Sequence, residues 1–211
     1  MPLTVQELNS GIRYWRTKKC KWPQDFHNRY YKNIVPKLRP KDGRFDLEWW
    51  NRFYPELQDW AATRKGGSRA DLTSRVQQQF EELGKAWSAV IVRHLQDDIA
   101  NVEWRQIASF PPLVTEIKWL VFPNPMFTSK FCHFLVPCIF PVSDKDAVGN
   151  PFSTYEKYYT AARGEWLSTD TSIQSELVDV LTEAIGEPVF SAYPMKCKLI
   201  ELCLTGRYRA S

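Results

Sequence analysis

Between Ala70 and Ala100 the apolar residues Val76, Phe80, Leu83, Trp87, Val90, Ile91 and Leu95 fall at helical spacing. A strand turns its faces over every second residue, so only a helix gathers this series onto one side. The same period returns in Trp49, Trp50, Phe53, Leu57 and Trp60, a stripe that reads as core. Strand-like alternation is scarce and no internal repeat is evident. These patterns predict an all-α chain, an irregular multi-helix domain of about nine or ten helices.

Local signals set the expected boundaries. Thr4 and Glu7 form a capping box for a first helix ending near Thr17. Asp25 caps a second helix through Val35, and Asp46 caps the tryptophan-rich third, which Pro55 either kinks or restarts. Lys65-Gly66-Gly67-Ser68 reads as a loop before the long helix, and Gly84 allows close packing or a bend within it. A short helix over Trp104–Ala108 precedes one that starts at Pro111-Pro112 and breaks at Pro123 and Pro125. Ser129 to Val136 is helical, Pro137 and Pro141 interrupt, and Asp144 begins a new turn. Ser153 with Glu156 makes a second capping box, for a helix to Trp166. Thr169 or Asp170 opens the next, closed by Gly186; Pro194 opens the last, with Gly206 as its C-cap and Arg207–Arg209 as a fraying tail.

A length of 211 residues suits one domain. It divides into a basic N-terminal helical segment, 1–44, and a candidate catalytic half, 110–211. The net charge is only +4, but its placement is uneven. Residues 1–44 hold Arg13, Arg16, Lys18, Lys19, Lys21, Arg29, Lys32, Lys37, Arg39, Lys41 and Arg44 against Glu7, Asp25 and Asp42. Interleaved with Tyr14, Trp15, Trp22, Phe26, Tyr30 and Tyr31, these cations suit phosphate contacts and base stacking. The same pattern also suits lysines lying along an apolar helix face. The five cysteines form no CxxC pair, and no apolar run approaches the ~18 residues needed to span a bilayer. A cytoplasmic, monomeric protein is expected. His27, His94 and His133 are not at ligand spacing with the cysteines, so no metal and no cofactor is expected.

The stretch Phe127 to Asp144 concentrates the chemistry. Lys130 and His133 lie one helical turn apart. An apolar connector kinked by Pro137 and Pro141 then delivers Asp144 to the expected helix start, where backbone N–H groups stabilise a carboxylate's charge. An acid so placed can act as a general base or stabilise a cation. Asp146 is the alternative acid.

Ser129, Lys130, His133, Phe134, Leu135, Pro137, Phe140, Pro141, Val142 and Asp144 together resemble the active-site region of the helix-hairpin-helix DNA glycosylases, in particular 8-oxoguanine-glycosylase-like bacterial proteins. The resemblance implies an all-α glycosylase fold, double-stranded DNA with a damaged or modified base as partner, and excision of that base after flipping. It implies that Asp144 is the essential acid and that Lys130 stands where bifunctional members keep a Schiff-base lysine. Where that family has a glycine-rich hairpin turn, this chain has Pro123-Asn124-Pro125-Met126-Phe127-Thr128. A specialised member is implied, for which modified phage DNA is a candidate target in a defence role.

On this reading Lys130 and Asp144 are catalytic, His133, Phe127, Tyr155 and Tyr158 line the pocket, and Ser129 with the cations Arg13, Arg16, Lys18, Lys19, Lys21, Arg29 and Lys32 contacts DNA. Each has a plainer alternative: a capping aspartate, a phosphate-contacting or surface lysine, a core histidine, packed aromatic rings. A non-catalytic nucleic-acid-binding module and a protein-interaction role, antitoxin-like or scaffold-like, are the competing functions.

Overall fold

The computed structural model describes residues 1–18, 26–63, 68–118, 125–144, 152–190 and 192–209, with only the backbone of 26–29. Among them are eleven α-helices and no strand. The expected cap at Asp25, the Lys65–Gly67 loop and a helix start after Asp144 lie outside the described residues.

Helix α1 spans Val5–Lys18, and its capping box forms: Thr4 N–H donates to Glu7 Oε2 at 3.0 Å and Glu7 N–H to Thr4 Oγ1 at 3.2 Å. Helices α2 (Phe26–Asn33) and α3 (Val35–Leu38) divide what the sequence suggests is one helix. Helix α4, Leu47–Asp59, is capped by Asp46, which accepts from Trp49 N–H at 2.8 Å. Pro55 stays inside α4 on its exposed side, and the helix continues through it.

Helix α5 runs from Arg69 to Ala86 and stops short of the expected Ala100. A π turn over Trp87–Ile91 and a 3₁₀ turn over Val92–His94 replace its end. The wider turn lets Trp87 and Ile91 enter the core together, Trp87 against Phe45 and Phe110. A Cβ at Gly84 would sit 3.1 Å from the Gly43 carbonyl, which accounts for the glycine by close approach.

Helices α6 (Trp104–Ile107) and α7 (Pro111–Ile117) lead to α8, Pro125–Leu135. Pro125 therefore starts a helix rather than breaking one, because at a first position its missing N–H has no intrahelical partner to lose. Helix α9, Tyr155–Leu167, is capped by Thr154, which accepts from Lys157 N–H at 3.3 Å; Ser153 instead meets the Lys157 ammonium. Helix α10, Thr171–Ile185, ends on Gly186 in the left-handed conformation, as its sequence implies.

Helix α11, Met195–Arg209, corrects two expectations. Gly206 is not its C-cap but an interior residue where α11 crosses α1, the most extensive helix contact among the described elements. A Cβ there would overlap the Glu7 carbonyl, and a Cβ at Gly11 would overlap that of Leu202, so the two backbones touch at paired glycines. Nor does Arg207 fray: its guanidinium bonds Glu7 at 2.6 Å and Glu165 at 2.8 Å. Buried side chains form one cluster running from Leu3 to Leu204. Among the described residues, no helix is long and apolar enough to cross a membrane.

Candidate functional site

Helix α8 is buried along both its apolar and its polar residues, including Ser129, Lys130 and His133. A polar group taken from water must find partners inside the protein. Two of these side chains, Ser129 and His133, do so on the connector that follows, whose prolines deny it a regular backbone ladder.

His133 donates from Nδ1 to the Phe140 carbonyl at 2.6 Å. Tyr155 donates its hydroxyl to the Pro141 carbonyl at 3.0 Å, and Tyr158 to the Val142 carbonyl at 2.7 Å. The Ser143 N–H donates to Ser129 Oγ at 3.0 Å, and that hydroxyl donates to the Met126 carbonyl. Four consecutive residues, 140 to 143, are thus each anchored, and Asp144 is the next residue out. Lys130 meets it there: its Nζ lies 3.2 Å from Asp144 Oδ2 and donates to the Trp60 carbonyl at 2.9 Å. The two side chains are 11% and 24% exposed, which places the pair at the edge of the interior.

His133 is a strut and not a wall of an open pocket. Because a carbonyl can only accept, Nδ1 carries the proton and Nε2 accepts from the Tyr31 hydroxyl at 2.5 Å. Burial, helped by the nearby Lys198 cation, pushes its pKa down to about 3. Tyr158 is wholly buried, Tyr155 nearly so, and burial lifts both phenols well above their ordinary range. Phe127 is packed against Phe131 and is likewise buried. Ser129 is fully buried and cannot reach a DNA backbone; it positions the connector instead. Spacing drew notice to these residues but did not reveal their burial, which makes Ser129 and His133 internal anchors and Phe127, Tyr155 and Tyr158 packed side chains.

Two lysines escaped the sequence reading, and Trp60 was read there only as core. Lys118 donates to the Ala62 carbonyl at 2.5 Å and lies 5.3 Å from the centre of the Phe127 ring. Burial, and then the neighbouring Lys130 cation, lower its pKa to about 8. Lys198 pairs with Glu201 at 2.8 Å inside the core and stands over the rings of Tyr31 and Trp60 at 5.5 and 5.9 Å. Lys130 and Lys118 therefore bind the carbonyls of Trp60 and Ala62, one residue apart just past the end of α4, the negative end of that helix. The available signal was a charge inside an apolar run: Ile117-Lys118-Trp119, and Cys197-Lys198-Leu199-Ile200-Glu201 with acid and base three apart. The site is consequently not confined to 110–211, since Trp60 and Tyr31 belong to the first part of the chain.

The basic N-terminal residues go to several places. Arg13 and Lys18 are exposed on α1, Lys18 with its ammonium 5.7 Å from the Tyr14 ring centre. Arg16 donates to the Ala184 carbonyl at 3.1 Å, at the end of α10. Lys32 is exposed on α2. Lys19, Lys21, the Arg29 side chain and Asp146 lie outside the described residues. Among the described residues, no group of three His, Cys, Asp or Glu side chains could hold a metal. No protein-family model, curated protein or solved structure matches the chain.

Proposed function

We propose that the protein is a DNA glycosylase in which Asp144 is the essential acid and Lys130 its electrostatic partner. The observation that carries this reading is the contact at 3.2 Å between two residues fourteen apart in sequence, the acid held in place by an anchored connector. A carboxylate so fixed, with limited access to water, is suited to stabilise positive charge developing on a deoxyribose as its base departs. The bond from C1′ to the base nitrogen breaks with its electron pair on the base, which takes up a proton from solvent. Water adds its oxygen to C1′ and gives a proton to Asp144, which returns it to solvent, so the net reaction consumes one water. Lys130, bound to a carboxylate and to the Trp60 carbonyl, serves to place charge and not as the attacking amine. Trp60, whose carbonyl holds Lys130, is itself packed edge-on against Tyr31. DNA with a damaged or modified base, hypermodified phage bases among them, is the substrate class.

The test is base release from duplexes carrying oxidised, alkylated, deaminated or hypermodified bases. Wild type should release at least one, and Asp144→Asn should lose about 100-fold or more in rate, the scale of a lost acid–base group. Release unaffected by Asp144→Asn would overturn the assignment. Salt-sensitive DNA binding without release from any duplex would leave a binding module, and no affinity for DNA at low salt would leave a protein-interaction role.

A further inference from the structure

A cleft of about 280 Å³ opens where four segments meet: α3, the residues after the 3₁₀ turn, the start of the connector and the loop before α11. Val35, Pro36, Leu95 and Pro137 give it apolar walls, and Arg39 brings a guanidinium to it. Asp97 is the one carboxylate among its described lining residues, and His94 Nδ1 holds that carboxylate at 2.7 Å. The next acid along, Asp98, is paired with Lys196 at 2.5 Å.

Arg39 is half-buried, and among the described residues no carboxylate pairs with it. Its Nε donates to the Leu135 carbonyl at 3.2 Å, its one hydrogen bond among those residues. Leu135 closes α8, whose negative end holds the cation in place without neutralising it. The two terminal nitrogens are left over, and they stand side by side as the two oxygens of a carboxylate do. Buried charges ordinarily have a partner, and a guanidinium without one carries a desolvation cost that an incoming anion would offset. Burial accordingly lowers the Arg39 pKa. Cys138, also in the lining, does not supply the missing charge, because burial pushes its thiol up and keeps it protonated near neutral pH.

We infer that this cleft binds a small carboxylic acid with a short apolar body, its carboxylate paired with the terminal nitrogens of Arg39 and its chain against the apolar walls. One guanidinium matches one negative charge, and Asp97 in the same lining disfavours a dianion such as a phosphate monoester. The volume lies just below the range of drug-sized sites, which limits the ligand to a few carbons. Neither Lys130 nor Asp144 lines the cleft, and the inference is independent of the proposed action on DNA.

The experiment titrates the full chain with butyrate, hexanoate and benzoate, and with butyramide, hexanamide and benzamide, followed by saturation-transfer NMR. At least one acid should bind with a Kd of about 1 mM or tighter. Its amide keeps the shape and loses the charge, and should bind about 10- to 100-fold more weakly. Arg39→Gln should lose the same factor, and Arg39→Lys, which keeps the charge without the paired nitrogens, should fall between. In wild type the bound acid should also slow alkylation of Cys138 by iodoacetamide, read by peptide mass spectrometry, which locates the site without any substitution. If Arg39→Gln does not fold, the amide comparison and the Cys138 protection decide. No acid binding up to about 10 mM, equal binding of acid and amide, unchanged binding by a folded Arg39→Gln, an unprotected Cys138, or tighter binding of inorganic phosphate would each overturn the inference.

Discussion

Breaking the Lys130–Asp144 pair from either side should expose how strongly the two side chains depend on each other. At 3.2 Å, an effective dielectric of about 20 gives an attraction of about 5 kcal/mol before desolvation is subtracted. Full burial would make loss of one partner cost about 3–5 kcal/mol, and exposures of 11% and 24% bring the expected cost nearer to about 2–3 kcal/mol. The two losses should differ. Asp144→Asn strands the more buried lysine, which keeps only the Trp60 carbonyl, and should cost about 3 kcal/mol. Lys130→Met leaves an aspartate that is closer to water, and should cost about 2 kcal/mol. Combined, they should cost about 3 kcal/mol and not 5, a coupling of about 2 kcal/mol. Urea unfolding followed by tryptophan fluorescence measures all four corners of this cycle, with Trp60 as a nearby reporter. Single-variant costs that simply add, within about 0.5 kcal/mol, would mean the pair does not form in solution. The proposed role of Asp144 would then lose its physical basis.

Three other outcomes follow from the geometry. Gly206→Ala drives a Cβ into the Glu7 carbonyl and should destabilise by at least about 2 kcal/mol, seen as a lower Tm; an unchanged Tm would refute the close crossing of α1 and α11. His133, with its pKa pushed down to about 3, should show no imidazole titration by NMR between pH 5 and 8. Because the unfolded chain takes up that proton near pH 6.5 and the folded chain does not, His133 should lower stability as pH falls from 6.5 toward 3, by at most about 1.4 kcal/mol per pH unit. Lys118 should titrate near pH 8 when followed through its Cε resonance, and its burial should make stability rise with pH from 8 to about 10.5; a midpoint at 10 or above would refute its desolvated setting.

Much of the helical framework was legible because its signals are local. The Thr4–Glu7 box, the Asp46 cap and the Gly186 stop each act within a few residues, and the structure contains all three. The failures came where packing overruled local pattern. Trp87 and Ile91 needed a wider turn to share the core, and Gly206 answered to the α1 backbone rather than to its own helix end. At the site, Ser129, Lys130, His133 and Asp144 stood out as a pattern of residue types. The pattern could not show that Ser129 and His133 are anchors, since that depends on which carbonyls their side chains reach.

The sequence by itself determined that this chain is helical and where its polar outliers lie, because hydrogen bonding and capping couple residues only a turn apart. Only the tertiary structure decided what those outliers do. Lys130 finds its carbonyl 70 residues away at Trp60, and Lys118 finds one 56 residues away at Ala62. Burial and charge proximity, which set the surroundings of both lysines, are sums over such distant neighbours, and no window of sequence contains them.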